Sequence, residues 1–145
     1  MPDITLLTKT GQVHGTAGLN WGSNLMNHTR PYDAYIPIHI RTIRNNPGLF
    51  SPKSPQQTVI TFHWDDGVVM QGLFEGNLPD KITGNLYPKQ ISSHPHKDTL
   101  GIYFRNRLGL APNHRINLGD LITYGRTTVT INRIDDTNYS LDFHI

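Results

Sequence analysis

Thr58-Val59-Ile60-Thr61-Phe62-His63-Trp64, followed by Asp65-Asp66-Gly67 and Val68-Val69-Met70-Gln71-Gly72-Leu73-Phe74, is the stretch that decides the fold. Its first seven residues alternate, Val59, Thr61 and His63 against Ile60, Phe62 and Trp64. That two-residue period is the signature of a half-buried strand. Asp-Gly supplies the positive φ values that a tight turn between antiparallel strands needs, so the stretch reads as a β-hairpin.

Working outward, residues 127–134 and 139–145 both alternate around a turn at Asp135-Asp136-Thr137-Asn138, which predicts a second hairpin. On the N-terminal side, Ala34-Tyr35-Ile36-Pro37-Ile38-His39-Ile40 is β-branched and aromatic, and Pro37 implies an edge strand or a bulge. Asn45-Asn46-Pro47-Gly48 is a breaker, residues 3–7 open a weaker strand, and 11–18 are rich in turn residues. Residues 75–97 have no apolar period and read as one long basic loop, anchored by Ile82, Leu86 and Ile91. Loops of that length in a small domain usually carry function. A helix is predicted over 99–108, capped by Asp98 or Thr99, with Leu100, Tyr103, Phe104 and Leu108 on one face and Gly109 at its end. A second short helix is expected over 118–124, closed by Gly125. The sum is a mainly β chain with two short α-helices, and a closed or nearly closed barrel would bury such strands without exposing their edges.

The chain has 145 residues, 36% hydrophobic and 17% charged, which suits one compact domain over 1–145 with a packed core. It contains no cysteine, so disulfides and thiolate metal sites are excluded. No apolar run approaches the ~18 residues that cross a bilayer. Met1-Pro2-Asp3-Ile4 lacks the basic and apolar regions of a signal peptide, so a soluble intracellular setting is expected. The net charge is only +2, but it is unevenly spread. Lys9, Arg30, Arg41, Arg44 and Lys53 face only Asp3 and Asp33 in residues 1–57, and Lys81, Lys89, Lys97, Arg105, Arg107 and Arg115 face only Asp98 in 81–115. Between them, 58–80 holds Asp65, Asp66, Glu75 and Asp80 without a cation. Such clustering can build a basic face despite a modest total.

Catalytic patterns are sparse. His94-Pro95-His96 offers two close metal ligands in a loop where zinc catalysis usually takes three, so no metal site is assigned. His96-Lys97-Asp98 shares letters with the phospholipase-D-type nuclease motif, but adjacent residues cannot all point into one pocket. Pro79-Asp80-Lys81 is a faint echo of a Mg²⁺-dependent nuclease, a site that needs two or more carboxylates. Glu75 is the lone glutamate, and Asp65-Asp66 belongs most simply to a turn. No nucleophile elbow, P-loop or dinucleotide fingerprint follows a strand.

Two loops suit nucleic acid better. Residues 19–32 gather amides, hydroxyls, an aromatic ring and an arginine in Asn20, Trp21, Ser23, Asn24, Asn27, His28, Arg30 and Tyr32. Asparagine pairs with adenine and arginine with guanine in the major groove, while hydroxyls serve bases or phosphates. Residues 75–97 offer Glu75, Asn77, Lys81, Thr83, Asn85, Lys89 and Gln90, and a carboxylate there can accept from cytosine N4.

Several blocks together carry a family resemblance. They are Thr10-Gly11-x-Val13, Gly18-Leu19-Asn20-Trp21-Gly22, Ala34-Tyr35-Ile36-Pro37-Ile38, Asp66-Gly67, Leu100-Gly101-Ile102-Tyr103-Phe104-Arg105-Asn106-Arg107-Leu108-Gly109-Leu110, Tyr124-Gly125-Arg126 and Tyr139-x-Leu141-Asp142-Phe143. With these blocks the chain resembles, over nearly its whole length, the recognition domain of NgoFVII/BfiI-type restriction endonucleases. That domain is similar to the plant B3 DNA-binding fold and the N-terminal effector domain of EcoRII.

The resemblance implies a seven-stranded open DNA-binding pseudobarrel, B3-like, with two arms that grip duplex DNA from the major-groove side. Carried onto this chain, the N-terminal arm is 20–32, with Trp21 and Gly22 shaping its base, and the C-terminal arm is 74–90. Lys97 and Arg105 are expected at phosphates, with Arg105 and Arg107 otherwise structural. The group usually follows its second hairpin strand with an Arg/Gln/Asn-Gly-Lys-rich stretch, whereas this chain has Gly72-Leu73-Phe74-Glu75-Gly76-Asn77, so its C-terminal arm is divergent.

The implied function is sequence-specific recognition of a short double-stranded DNA site in the bacterial cytoplasm, with no membrane partner. Cleavage would belong to a nuclease domain elsewhere in the same polypeptide. Binding itself would need no cofactor, and Mg²⁺ would serve only the parent's catalytic domain. Two alternatives remain open: a free-standing metal-dependent nuclease using Asp65, Asp66, Glu75 and Lys81, and a β-barrel carbohydrate or peptide module stacking ligands on Trp21 and Tyr32.

Overall fold

The computed structural model describes residues 2–24 and 29–145. The central hairpin is present as β3 (Ile60–Trp64) and β4 (Val69–Glu75), antiparallel, with Phe62 opposite Met70. Gly67 turns it at φ +86°, its amide donating to the Trp64 carbonyl. Ile60, Phe62 and Trp64 are buried while Thr61 and His63 are half-exposed, the alternation read from the sequence.

The C-terminal hairpin forms from β8 (Thr128–Arg133) and β9 (Asn138–Asp142). β9 runs parallel to β3, which joins the two hairpins into one sheet. β1 (Asp3–Thr5) adds to β8, β7 (Gln90–Ser93) to β4, and β2 (Ile36–Pro37) to β7. The resulting order, β1-β8-β9-β3-β4-β7-β2, has seven strands and curls into an open barrel. Its interior is aromatic: Trp64 meets Phe104 edge-on at 5.7 Å, and Phe104 meets Phe143 at 5.2 Å.

Two segments differ from the sequence reading. The run 34–40 contributes only two residues to the sheet, and the chain then turns into a helix, α1 (Ile40–Asn45), that brings the number of α-helices among the described residues to three. Its β-branched residues favour strand locally, but burial of Ile43 and a tertiary ion pair through Arg44 outweigh that preference. The segment 75–97 is also no simple loop. It holds a two-stranded ribbon, β5 (Leu78–Pro79) with β6 (Leu86–Tyr87), and then β7 inside the main sheet.

The helix α2 (Asp98–Leu108) stands where expected and closes at Gly109 with φ +71°. It starts without a side-chain cap from Asp98 or Thr99; Ser93 Oγ, from β7, accepts the Leu100 amide at 3.0 Å instead. The last helix, α3 (Leu118–Tyr124), has a reciprocal cap in which Asn117 and Asp120 each accept the other's backbone amide at 2.9 Å. Among the described residues no helix is long and apolar enough to cross a membrane.

Candidate nucleic-acid interface

The N-terminal arm leaves the barrel through a 3₁₀ segment at Gly18–Ser23 and returns at 29–34. Two glycines bring the strands of this base together. A Cβ on Gly22 would lie 2.5 Å from the Tyr32 amide nitrogen, and one on Gly101 of α2 would lie 1.8 Å from the Tyr32 carbonyl oxygen. No side chain fits at either place, so the arm's return lies directly on the helix backbone. Asp33 closes the base, accepting the Arg30 amide on Oδ2 at 2.9 Å and the Gly22 amide on its carbonyl at 2.8 Å. Tyr32 adopts φ +73°, a left-handed conformation that costs a non-glycine residue about 1–2 kcal/mol.

Beneath this base lies a polar knot that corrects two assignments. Asn20 was expected on the DNA, yet it is 0% exposed. Its Nδ2 donates to the carbonyls of His14 and Ile116, and its Oδ1 accepts the Ile116 amide and Arg105 Nη2. Arg105, expected at a phosphate, is 3% exposed and donates to the carbonyls of Leu19, Gly101 and His114. Both side chains are fully engaged inside the protein and tie the arm's root to α2. Reading them from sequence failed because Asn and Arg supply the same hydrogen bonds to a buried backbone as to a base edge.

The C-terminal arm is the β5–β6 ribbon and its tip. Asp80, 4% exposed, organises that tip. Its carboxylate accepts the Ile82 amide, the Thr83 hydroxyl, and Arg44 Nε and Nη2, all at 3.0–3.2 Å. Its amide donates to the Asn85 carbonyl, and its own carbonyl accepts from Gly84. Burial pushes the Asp80 carboxyl up, but the Ile82 amide, the Thr83 hydroxyl and Arg44 outweigh it and hold the group below the usual carboxylate range. Arg44 and Asp80 were both absent from the predicted site; the faint signal was Asp80 directly ahead of Lys81, where the acidic stretch 58–80 gives way to the basic one.

Lys97 joins the two arm bases. Its Nζ pairs with Glu75 Oε1 and stands 5.7 Å from the centre of the Trp21 ring, while its carbonyl accepts the Ala34 amide. Ser92 also donates to Glu75 Oε1. Burial raises the Glu75 pKa, but Lys97 and Ser92, with the charge of Lys53 behind them, bring it below its ordinary value. A further residue missed by sequence reasoning is Lys53. Its amide donates to the Leu86 carbonyl at 2.7 Å and its Nζ to Asn77 Oδ1 at 3.2 Å, so the 51–58 loop lies along the arm.

The remaining site residues fall as follows. Asn77, Lys81, Thr83, Asn85 and Lys89 are exposed on the C-terminal arm, and Gln90 is half-buried at its root. Thr83 is committed to Asp80 and to the Asn85 amide. Trp21, Ser23, Asn24 and Tyr32 are half-buried at the N-terminal arm and Arg30 is exposed. Asn27 and His28 lie outside the described residues.

The carboxylates of the nuclease alternative do not converge. Asp65 pairs with both Arg107 amino groups and Asp66 accepts the Tyr103 hydroxyl, at the turn before β4. Glu75 lies at the far end of that strand, about 20 Å away at the usual rise per residue. Among the described residues, Asp65, Asp142 and His144 bring potential metal ligands together, but Asp65 is paired with Arg107 and Asp142 with Arg126 and His144. The Trp21 ring proposed for stacking already meets Tyr35 in a T-shaped contact at 5.3 Å and has Lys97 Nζ over it.

An open seven-stranded barrel with polar, basic projections at one side is the architecture of a pseudobarrel DNA-binding domain. The sequence matches the NgoFVII C-terminal B3-like DNA-binding domain family over residues 2–135, and the chain belongs to that family. No curated protein matches it.

Proposed function

We propose that this chain, as one recognition domain over 1–145, reads a short double-stranded DNA site with both arms in the major groove. It would serve a restriction endonuclease whose nuclease domain lies elsewhere in the same polypeptide, in a bacterial cytoplasm. The observation that carries this reading is the Trp21–Lys97–Glu75 bridge, which gives two polar arms a common rigid base. Preorganised arms bind without a large ordering penalty.

Arg30, Lys81 and Lys89 neutralise phosphates and set register. Ser23, Asn24, Asn27, His28 and Arg30 read one part of the site, and Asn77, Asn85, Gln90 and the Glu75 Oε2 oxygen read the other. Asn77 is constrained further. Its Oδ1 already accepts from Lys53 Nζ, which favours donation from its NH₂ to a purine N7 or guanine O6 over the two-bond pairing with adenine. Binding needs no cofactor, and Mg²⁺ belongs to cleavage by the parent.

Selection from a randomised duplex pool in EDTA, at two salt concentrations, tests the proposal. One short enriched motif is expected, with a log–log salt slope of about −3 from three phosphate contacts. Absence of enrichment at both salts would contradict it.

A further inference from the structure

We propose that Ile82 reads the 5-methyl group of a pyrimidine, which in unmodified DNA is thymine, from the tip of the C-terminal arm. The inference rests on the DNA-recognition reading and assigns a base class to one position of the target.

Ile82 is 77% exposed at the tip of the arm, the most exposed apolar side chain there, ahead of Leu86 at 46% in the ribbon behind it. Single exposed isoleucines are ordinary on surfaces, but this one is held in place. Its amide donates to Asp80 Oδ1 at 3.2 Å, and the same oxygen accepts two bonds from Arg44 on α1. Gly84, at φ +76°, closes the turn on the Asp80 carbonyl. The neighbouring hydroxyl of Thr83, the obvious polar reader, is turned inward onto Asp80. The tip therefore presents Ile82 and Lys81, an aliphatic group beside a cation. A β-branched side chain adds stiffness, since its χ1 has few allowed positions.

The chemistry of the groove then selects the ligand. Base edges in the major groove are donors and acceptors, and covering them with an aliphatic group would strand them without partners. The exception is the thymine methyl, which gains from apolar contact. Lys81 beside it can hold the adjacent phosphate, which fixes the depth to which Ile82 enters.

The test uses the full chain and the duplex enriched from the random pool. Each thymine is replaced singly by uracil, which removes one methyl group and leaves pairing unchanged. In a parallel series each cytosine is replaced by 5-methylcytosine. One uracil substitution is expected to weaken binding about fourfold, the value of one buried methyl-sized group. Ile82→Ala is expected to bind the thymine and uracil duplexes equally, with an unchanged thermal midpoint. Gain from a 5-methylcytosine, lost in Ile82→Ala, would identify a methylated cytosine as the source of the same group. If no substitution alters binding, or if Ile82→Ala keeps the wild-type penalty, the assignment is overturned while DNA recognition stands. A pool that yields no motif would overturn both.

Discussion

Arg44 on α1 reaches across to Asp80 in the C-terminal arm, its Nε and Nη2 each 3.2 Å from Asp80 Oδ1. The helix is thereby a buttress for the arm, and the arm's tip is a fixed feature of the barrel. Removing the carboxylate strands the Ile82 amide and leaves Arg44 unpaired. Asp80→Ala is expected to weaken cognate DNA binding by about tenfold, the scale of one lost charge-assisted hydrogen bond. Global thermal stability should change little, and faster amide exchange at Ile82 and Gly84 would report the loosened tip. Unchanged exchange at those amides would show that the buttress is not needed.

Asn20 and Arg105 form the opposite case, polar residues whose work is internal. Asn20→Ala would leave two carbonyls and one amide unpaired next to a buried guanidinium. A loss of about 3 kcal/mol in unfolding free energy is expected. The fraction that remains folded should bind DNA with wild-type affinity. Denaturant unfolding with a binding titration separates the two effects, and reduced affinity of fully folded protein would return Asn20 to the interface.

How much of this was legible in the sequence follows from such cases. The hairpins were legible because Phe62, Trp64, Ile131 and Leu141 obey a two-residue period that burial demands. Strand β7 was not, because it is buried on both faces and two of its buried positions are Ser92 and Ser93, which carry no apolar signal. Their burial depends on partners elsewhere in the chain, Glu75, the His96 carbonyl and the Leu100 amide. Helix α1 was hidden for a similar reason, since a six-residue helix is held by Ile43 burial and Arg44 pairing rather than by propensity. The two polar segments stood out by composition, but composition cannot separate a candidate base reader from a residue that fastens the segment to the barrel.

Lys53 provides a specificity test. Lys53→Met removes the donor on Asn77 Oδ1 and frees the amide to pair with both N6 and N7 of adenine in the major groove. Pool selection with this variant is expected to shift one position of the motif towards adenine and leave the rest intact. An identical motif would show that Asn77 does not read a base.

Arg30→Ala and Asn85→Ala are expected to weaken cognate binding more than binding to a scrambled duplex, by about 1–3 kcal/mol for a lost base contact. Lys81→Ala should lower both equally and reduce the salt slope by about one. Titrations of each variant on both duplexes at several salt concentrations distinguish the classes. Equal loss on both duplexes in Arg30→Ala or Asn85→Ala would show that the residue reads no base.

Acid should act through the paired carboxylates. Burial pushes the Asp65 and Glu75 carboxyls up, but Arg107 with the Phe143 amide, and Lys97 with Ser92, hold both below their ordinary values. A carboxylate depressed in the folded state contributes stability above its unfolded pKa and loses that contribution as pH falls towards the folded one. The thermal midpoint is therefore expected to be level between about pH 7 and 5 and to drop below about pH 4. A midpoint that rises on acidification would contradict these pairings.

The central claim, two arms reading one site from the major groove, is tested most directly by deaza substitution across the enriched duplex. Replacing purines singly with 7-deazapurines removes an acceptor in the major groove, and 3-deazaadenine removes one in the minor groove. The account predicts lost affinity for 7-deaza substitutions in two separate patches of the site, and none for 3-deazaadenine. Loss confined to 3-deazaadenine, or to a single 7-deaza patch, would contradict it.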